Sequence, residues 1–216
     1  QVLTHGFLID LEGRKMSKSV GNVISPQDVI KESGAEVLRL WVASCDYREE
    51  LRVSKEILAR IVEAYRKFRN TARYLVANLY DFDPSVDAVP VAQLEEVDRF
   101  ILARYAELGL KMLEAYDAYD YPTIFQTLNQ FITVDLSAFY SDISKDRLYT
   151  FAARSKDRRS AQTAMYVIAD GVYFIPLAPI RDPTLVLATI AQALEISKLP
   201  GQPVLERLQT ALCEKH

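Results

Sequence analysis

Between Ser54 and Tyr80 the apolar residues Ile57, Ile61, Tyr65, Phe68, Ala72, Leu75 and Leu79 recur at steps of three and four. That period is helical, so the segment predicts a long amphipathic helix whose apolar side other elements must cover. Leu94, Val97, Ile101, Tyr105, Leu108 and Met112 repeat the pattern and predict a second helix ending near Asp120, with Gly109 a weak spot. Pro122 suits a helix start, and Ile124, Leu128, Phe131, Ile132, Leu136, Phe139, Tyr140 and Ile143 form the next stripe. A further helix begins near Lys156 or Asp157 and runs towards Ile175, before Pro176 and Pro179 break it. Asp81 to Val91, with its prolines and acids, reads as a loop. Long helices joined by short connections predict a mainly α fold, an antiparallel helical bundle.

The chain ahead of residue 50 has a different texture. Val2 to Asp10 reads as a strand, and Ser25-Pro26-Gln27-Asp28 combines a cap, a first-turn proline and an acid at a helix start. Gly34 ends that helix, and Ala35 to Ser44 predicts a second, more apolar one carrying Trp41, packed against the bundle. The expected organisation is a small α/β unit over 1–50, the bundle over 51–180 and a tail over 181–216. The tail reads as two shorter helices split at Leu199-Pro200-Gly201-Gln202-Pro203.

With 216 residues, half of them hydrophobic, the chain can bury one good core. A net charge of -3 means that any role on nucleic acid has to come from local patches rather than the global field. No apolar run approaches the ~20 uncharged residues of a membrane helix, and the first residues lack the form of a signal peptide. The expectation is a cytoplasmic, monomeric protein. Cys45 and Cys213 lie far apart with no ligand spacing around them, so both are expected to be plain thiols and no metal site is expected.

One stretch has no obvious place in a helical bundle: Gly13-Arg14-Lys15-Met16-Ser17-Lys18-Ser19-Val20-Gly21-Asn22. A phosphate chain needs positive charge and hydroxyl or backbone donors that approach closely, and Lys15, Ser17, Lys18 and Ser19 supply the side chains. The P-loop pattern, with its lysine at the end of a glycine loop entering a helix, is not matched. From the residues alone, a solvated basic hairpin is the alternative.

The "KMSKS" run, with "GNVISPQDVIKESGAEVLRLWVAS" after it, resembles the signature loop of class I aminoacyl-tRNA synthetases, most closely that of the isoleucyl-tRNA synthetases. The resemblance continues through "DYREELRVSKEIL", "EAYRKFRNTARYLVANLYDFDP", "TVDLSAFYSDISKDRLY" and "RRSAQTAMYVIADG", as far as Ile180. It implies that residues 15–19 (Lys15, Met16, Ser17, Lys18 and Ser19) meet ATP, accompanied by magnesium, during amino-acid activation. Lys18 would stabilise charge on the phosphates, Lys15 would assist, and Ser17 and Ser19 would hold the loop's shape. It also implies a helical domain that grips the anticodon region of isoleucine tRNA. Further partners would be the catalytic and editing parts that the family carries upstream, including a His-x-Gly-His motif. His5 and His216 sit in no such motif, so this chain alone is expected not to aminoacylate. A stand-alone RNA-binding or protein-interaction module derived from a synthetase is the other reading.

Charge along the bundle is uneven. Arg52, Lys55, Arg60, Arg66, Lys67, Arg69 and Arg73 face only Glu56 and Glu63 in the same segment, and Arg66, Arg69 and Arg73 share one helix face. Lys145, Arg147, Arg154, Lys156, Arg158 and Arg159 form a second basic cluster, whereas Asp81 to Asp120 is predominantly acidic. On the strength of the resemblance, Arg66, Arg69, Arg73, Arg158 and Arg159 are the candidate RNA-binding residues; solvated faces with internal salt bridges are the alternative. Tyr65, Phe68, Phe131, Phe139 and Tyr140 are expected in the core rather than stacked on bases.

Overall fold

A computed structural model describes residues 3 to 173, so the expected tail, the proline break at Pro176 and Cys213 lie outside the described residues. The chain opens with β1 (Leu8–Ile9), α1 (Pro26–Ser33), α2 (Ala35–Ser44) and β2 (Leu51–Arg52). The bundle follows as α3 (Lys55–Ala77), the single turn α4 (Pro84–Asp87), α5 (Glu96–Asp117), α6 (Tyr121–Gln130), α7 (Ser141–Tyr149) and α8 (Lys156–Tyr173). Between α6 and α7, Phe131–Tyr140 continues the same rod with a wider turn, as when the Ser141 amide donates to the Leu136 carbonyl five residues back.

The expected strand over Val2 to Asp10 shrinks to two residues because its partner is equally short. Leu8 aligns with Leu51 and Ile9 with Arg52 in a parallel pair, closed by Leu51 N–H to Phe7 O at 2.8 Å and Val53 N–H to Ile9 O at 3.2 Å. On the other side of β1 the chain returns at once, with an antiparallel bridge between Ile9 and Lys15. β2 therefore ties the start of the bundle to the first unit.

Helix boundaries follow local chemistry. Ser54 caps α3 by accepting from the Ile57 amide at 3.2 Å, and Asp120 caps α6 by accepting from Thr123. At the end of α5, Tyr119 adopts φ 55° while Tyr119 N–H and Asp120 N–H bond back to Tyr116 and Ala115, a Schellman ending with tyrosine in the left-handed position. Gly34 separates α1 from α2 at φ 90° and ψ 157°, a region open in practice only to glycine. Gly34→Ala is therefore expected to lower stability by about 1–3 kcal/mol in urea unfolding although its Cβ would meet open space.

Two apolar clusters hold the molecule. One gathers Val29, Val37, Leu40, Trp41, Leu51, Val53, Leu58 and Ile61, so Trp41 does pack between the first unit and α3. The other, larger cluster lies inside the bundle around Leu75, Ile101, Tyr105, Phe131, Leu136, Tyr140, Met165 and Ile168. Every residue from Arg158 to Met165 is buried, which makes α8 a central helix rather than a surface one. Tyr65 and Phe68 pack on these clusters, but Phe139 is 42 % exposed and meets Phe100 edge-on at 5.8 Å. The wide-turn segment explains that departure: buried positions step by four from Ile132 through Leu136, Tyr140, Ser144 and Leu148, so Phe139 and Ile143 rotate outwards.

Candidate nucleotide loop and nucleic-acid interface

The return from β1 forms the base of the lysine loop. Asp10 N–H donates to Arg14 O at 3.0 Å, and Met16 N–H donates to Leu8 O at 3.1 Å. Beyond Met16 the chain curls, with the Val20 and Gly21 amides both donating to Ser17 O at 3.3 and 3.2 Å. Gly21 sits at φ 75°, the left-handed conformation that lets so tight a curl close. The hydroxyls of Ser17 and Ser19 lie 2.9 Å apart, and Ser17 Oγ also accepts from Val20 N–H at 3.2 Å.

The loop residues are used differently. Met16 is half-buried and packs on the Trp41 cluster, anchoring the loop from below. Lys15 is exposed, its Nζ resting 4.0 Å above the centre of the Phe7 ring, a cation–π interaction. Lys18 is exposed and has no salt bridge among the described residues. It offers an ammonium on a flexible stem to whatever anion approaches.

Two residues that sequence reasoning left without a role organise this loop. Asp10, almost buried at the base, accepts from Arg14 N at 2.8 Å, Arg14 Nε at 2.9 Å and Asn22 Nδ2 at 2.9 Å. The Asn22 amide above all, with the Arg14 backbone and side chain, outweighs the desolvation that would raise it and holds the Asp10 pKa at about 2. Because the folded value is depressed, this contribution to the loop is complete above pH ~4 and fades as pH falls towards 2. Asn22 Oδ1 in turn accepts from Ser17 N–H at 2.9 Å. An asparagine just after Gly21 was the available signal, but its acidic partner sits twelve residues earlier, just past the end of β1.

Magnesium finds no obvious ligand here. Asp10 is committed to Arg14 and Asn22, Glu12 pairs with Arg14 at 3.0 Å, and no group of three His, Cys, Asp or Glu among the described residues is placed to hold a metal.

The second candidate surface divides sharply. Arg66, Arg69 and Arg73 are exposed on α3, with Arg66 paired to Glu63 at 2.7 Å. Arg66 and Arg69, with Lys55, Tyr65 and Asn70, line a groove of about 540 Å³ between α3 and α1. Arg158 and Arg159 do not join them: they are only 5 % and 8 % exposed, and the expectation that they face RNA is corrected. Arg158 grips Asp81 through two bonds of 2.6 and 3.0 Å, holding that carboxylate below its usual range, while Arg159 donates to Asp81 O and Gln162 Oε1. These arginines tie α8 to the turn that follows α3. Arg147 of the same cluster also points inwards, to Asp98 at 2.7 Å.

Cys45 is half-buried and burial pushes its thiol up, consistent with an unreactive side chain. No helix among the described residues is long and apolar enough to cross a membrane.

Residues 1–54 match the family model of tRNA synthetases class I (I, L, M and V), and residues 98–180 match the anticodon-binding domain of tRNA ligase. An isoleucine–tRNA ligase of Desulfotalea psychrophila is 55 % identical over 171 residues, 79 % of this chain and 18 % of the relative. That of Moorella thermoacetica is 57 % identical over 166 residues, 77 % of this chain and 18 % of the relative. That of Geobacter sulfurreducens is 51 % identical over 180 residues, 83 % of this chain and 19 % of the relative. The chain thus spans about a fifth of the length of these relatives. Among solved structures, the LeuRS of Agrobacterium radiobacter K84 (agnB2), in a ternary complex with tRNA and LeuAMS, superposes with a TM-score of 0.56 at 17 % identity. The match covers 84 % of this chain and 22 % of that one, and it shows the shared fold. At more than half identity across more than three-quarters of its length, this chain belongs to the isoleucine–tRNA ligase family of class I aminoacyl-tRNA synthetases.

Proposed function

We propose that this chain supplies two working surfaces to an ATP-dependent ligase that joins isoleucine to its tRNA: the phosphate-facing loop and a grip on the RNA. The observation that carries the reading is the exposed Lys18, without a salt bridge among the described residues, on a loop whose backbone is held by Asp10 and Asn22. When the isoleucine carboxylate attacks ATP and pyrophosphate leaves, negative charge grows on the phosphates. A lysine already aimed there stabilises that charge with little reorganisation. Lys15 adds positive potential, and the paired hydroxyls of Ser17 and Ser19 keep the curl closed. Isoleucine selection and the adenine site belong to other parts of the ligase, and the chain alone is expected to show no activation. Residues 1–50, 51–180 and 181–216 remain our proposed division, with the strand pairing at 51–52 making the first boundary a tight one.

The RNA grip is assigned to the exposed basic face of α3, with Arg66, Arg69 and Arg73 at its centre and Arg158 and Arg159 left out. Titration of this chain with isoleucine tRNA and an unrelated tRNA, at low and near-physiological salt, tests the assignment. Cognate preference surviving the higher salt would mean that the bundle reads its RNA; equal, salt-erased binding would reduce it to a phosphate-attracting patch. Replacing Arg66, Arg69 and Arg73 together with alanine is expected to weaken both RNAs. For each phosphate that the arginines no longer neutralise, the slope of log affinity against log salt should flatten by roughly 0.7–0.9. An unchanged slope would remove this face from the interface.

A further inference from the structure

The lysine loop is a short excursion, and both of its ends meet one side chain. Asn22, on the outgoing limb, donates to the carboxylate of Asp10, the residue just after the strand that feeds the loop, and accepts the Ser17 amide from within it. Its Nδ2 also lies 3.4 Å from Lys15 O on the incoming limb. Asp10 is held in turn by the Arg14 backbone and guanidinium, so it cannot swing away with Asn22. Lys18 lies one residue beyond the amide that Asn22 fixes.

Resting on the ATP-loop reading above, we infer that Asp10 and Asn22 form a clasp that closes the loop into a ring and sets the direction in which Lys18 leaves it. Both are positioning residues. Neither needs to touch ATP: Asp10 lies almost buried beneath the curl, and Asn22 has its amide occupied on both sides. Without the clasp the curl keeps its turn bonds at 3.2 and 3.3 Å and the Ser17 hydroxyl contacts but loses its tie to Asp10, and Lys18 samples more directions. A catalytic ammonium that is present but poorly aimed loses rate rather than substrate affinity.

Two measurements test this. In the present chain, amide hydrogen exchange at Ser17 is expected to quicken about tenfold in Asn22→Ala, since one hydrogen bond is removed. Leu51 and Val53, bonded to β1, should keep their protection and so report an intact fold. In a full-length ligase bearing this segment, the same change is expected to slow adenylate formation about ten- to a hundredfold, with the KM for ATP nearly unchanged. Exchanging the partners, Asp10→Asn with Asn22→Asp, restores an amide–carboxylate bond and should recover part of what each single change loses. Unchanged exchange at Ser17, or faster exchange with an undiminished rate, overturns the clasp. Lys18→Ala in the same assay separates the two ideas. Full activity in that variant brings down the ATP-loop reading itself, whereas loss there beside a normal Asn22→Ala rate brings down the clasp alone.

Discussion

Lys18→Ala, placed in a full-length isoleucine–tRNA ligase carrying this segment, should slow ATP-dependent isoleucine activation about a hundred- to a thousandfold, some 3–4 kcal/mol of barrier. The size follows from what the side chain does and does not do at rest. Lys18 makes no salt bridge among the described residues and packs on nothing in either core, so its removal should leave the fold intact. In the proposed role its interaction is made with charge that develops during the reaction, so the loss should fall on kcat more than on the KM for ATP. Lys15→Ala should cost less, because its ammonium already rests on Phe7. Pre-steady-state measurement of adenylate formation distinguishes these cases; a tenfold rise in KM with kcat preserved would mean that Lys18 serves binding alone.

Asp98→Ala carries the largest expected effect on stability, a loss of about 3–5 kcal/mol in urea unfolding. Asp98 is fully buried in α5, where it accepts from Tyr140 at 2.7 Å, from both terminal nitrogens of Arg147 at 2.7 and 2.8 Å, and from the Ser160 hydroxyl. One carboxylate thereby joins α5, the wide-turn segment, α7 and α8. Burial first, and then the neighbouring Asp98 charge, push the Tyr140 hydroxyl far above its ordinary pKa, so it stays protonated and keeps donating. Truncation leaves a guanidinium and two hydroxyls without their acceptor in a dry interior. Asp98→Asn combined with Arg147→Met should recover a large part of the loss, since removing both charges is far less costly than stranding one. Simple additivity of the two single changes would show that the pair is not coupled.

What the sequence made legible depended on whether the deciding interaction was local. Pro26 and Gly34 bound α1 as expected, although the Ser25 hydroxyl donates to Gln27 Oε1 instead of capping the helix; Pro122 falls in the first turn of α6, and α8 begins at Lys156. The exposed basic loop was legible for the same reason: a run of neighbouring residues forms it. Arg158 and Arg159 were not, because their partners Asp81 and Asp87 lie some seventy residues earlier, and isolated charges on a helix look the same whether they meet water or a distant carboxylate. Asp98 was hidden in the same way within an acidic stretch. Phe139 was misplaced because the rule of threes and fours assumes a turn that the Phe131–Tyr140 segment widens. Asn22 was visible, but its meaning came from Asp10 across the loop.

The path from β2 into α3 has mechanical consequences. Only Val53 and Ser54 separate them, both are buried, and Ser54 caps the helix, so the junction contains no hinge. α3 then runs for 23 residues, about 34 Å at the helical rise, and Phe68 touches both apolar clusters. It is a strut with one end in the apolar cluster on which Met16 of the lysine loop also packs and the other inside the bundle. Because both clusters grip one continuous helix, a load applied anywhere along α3 would turn the first unit and the bundle together as one lever.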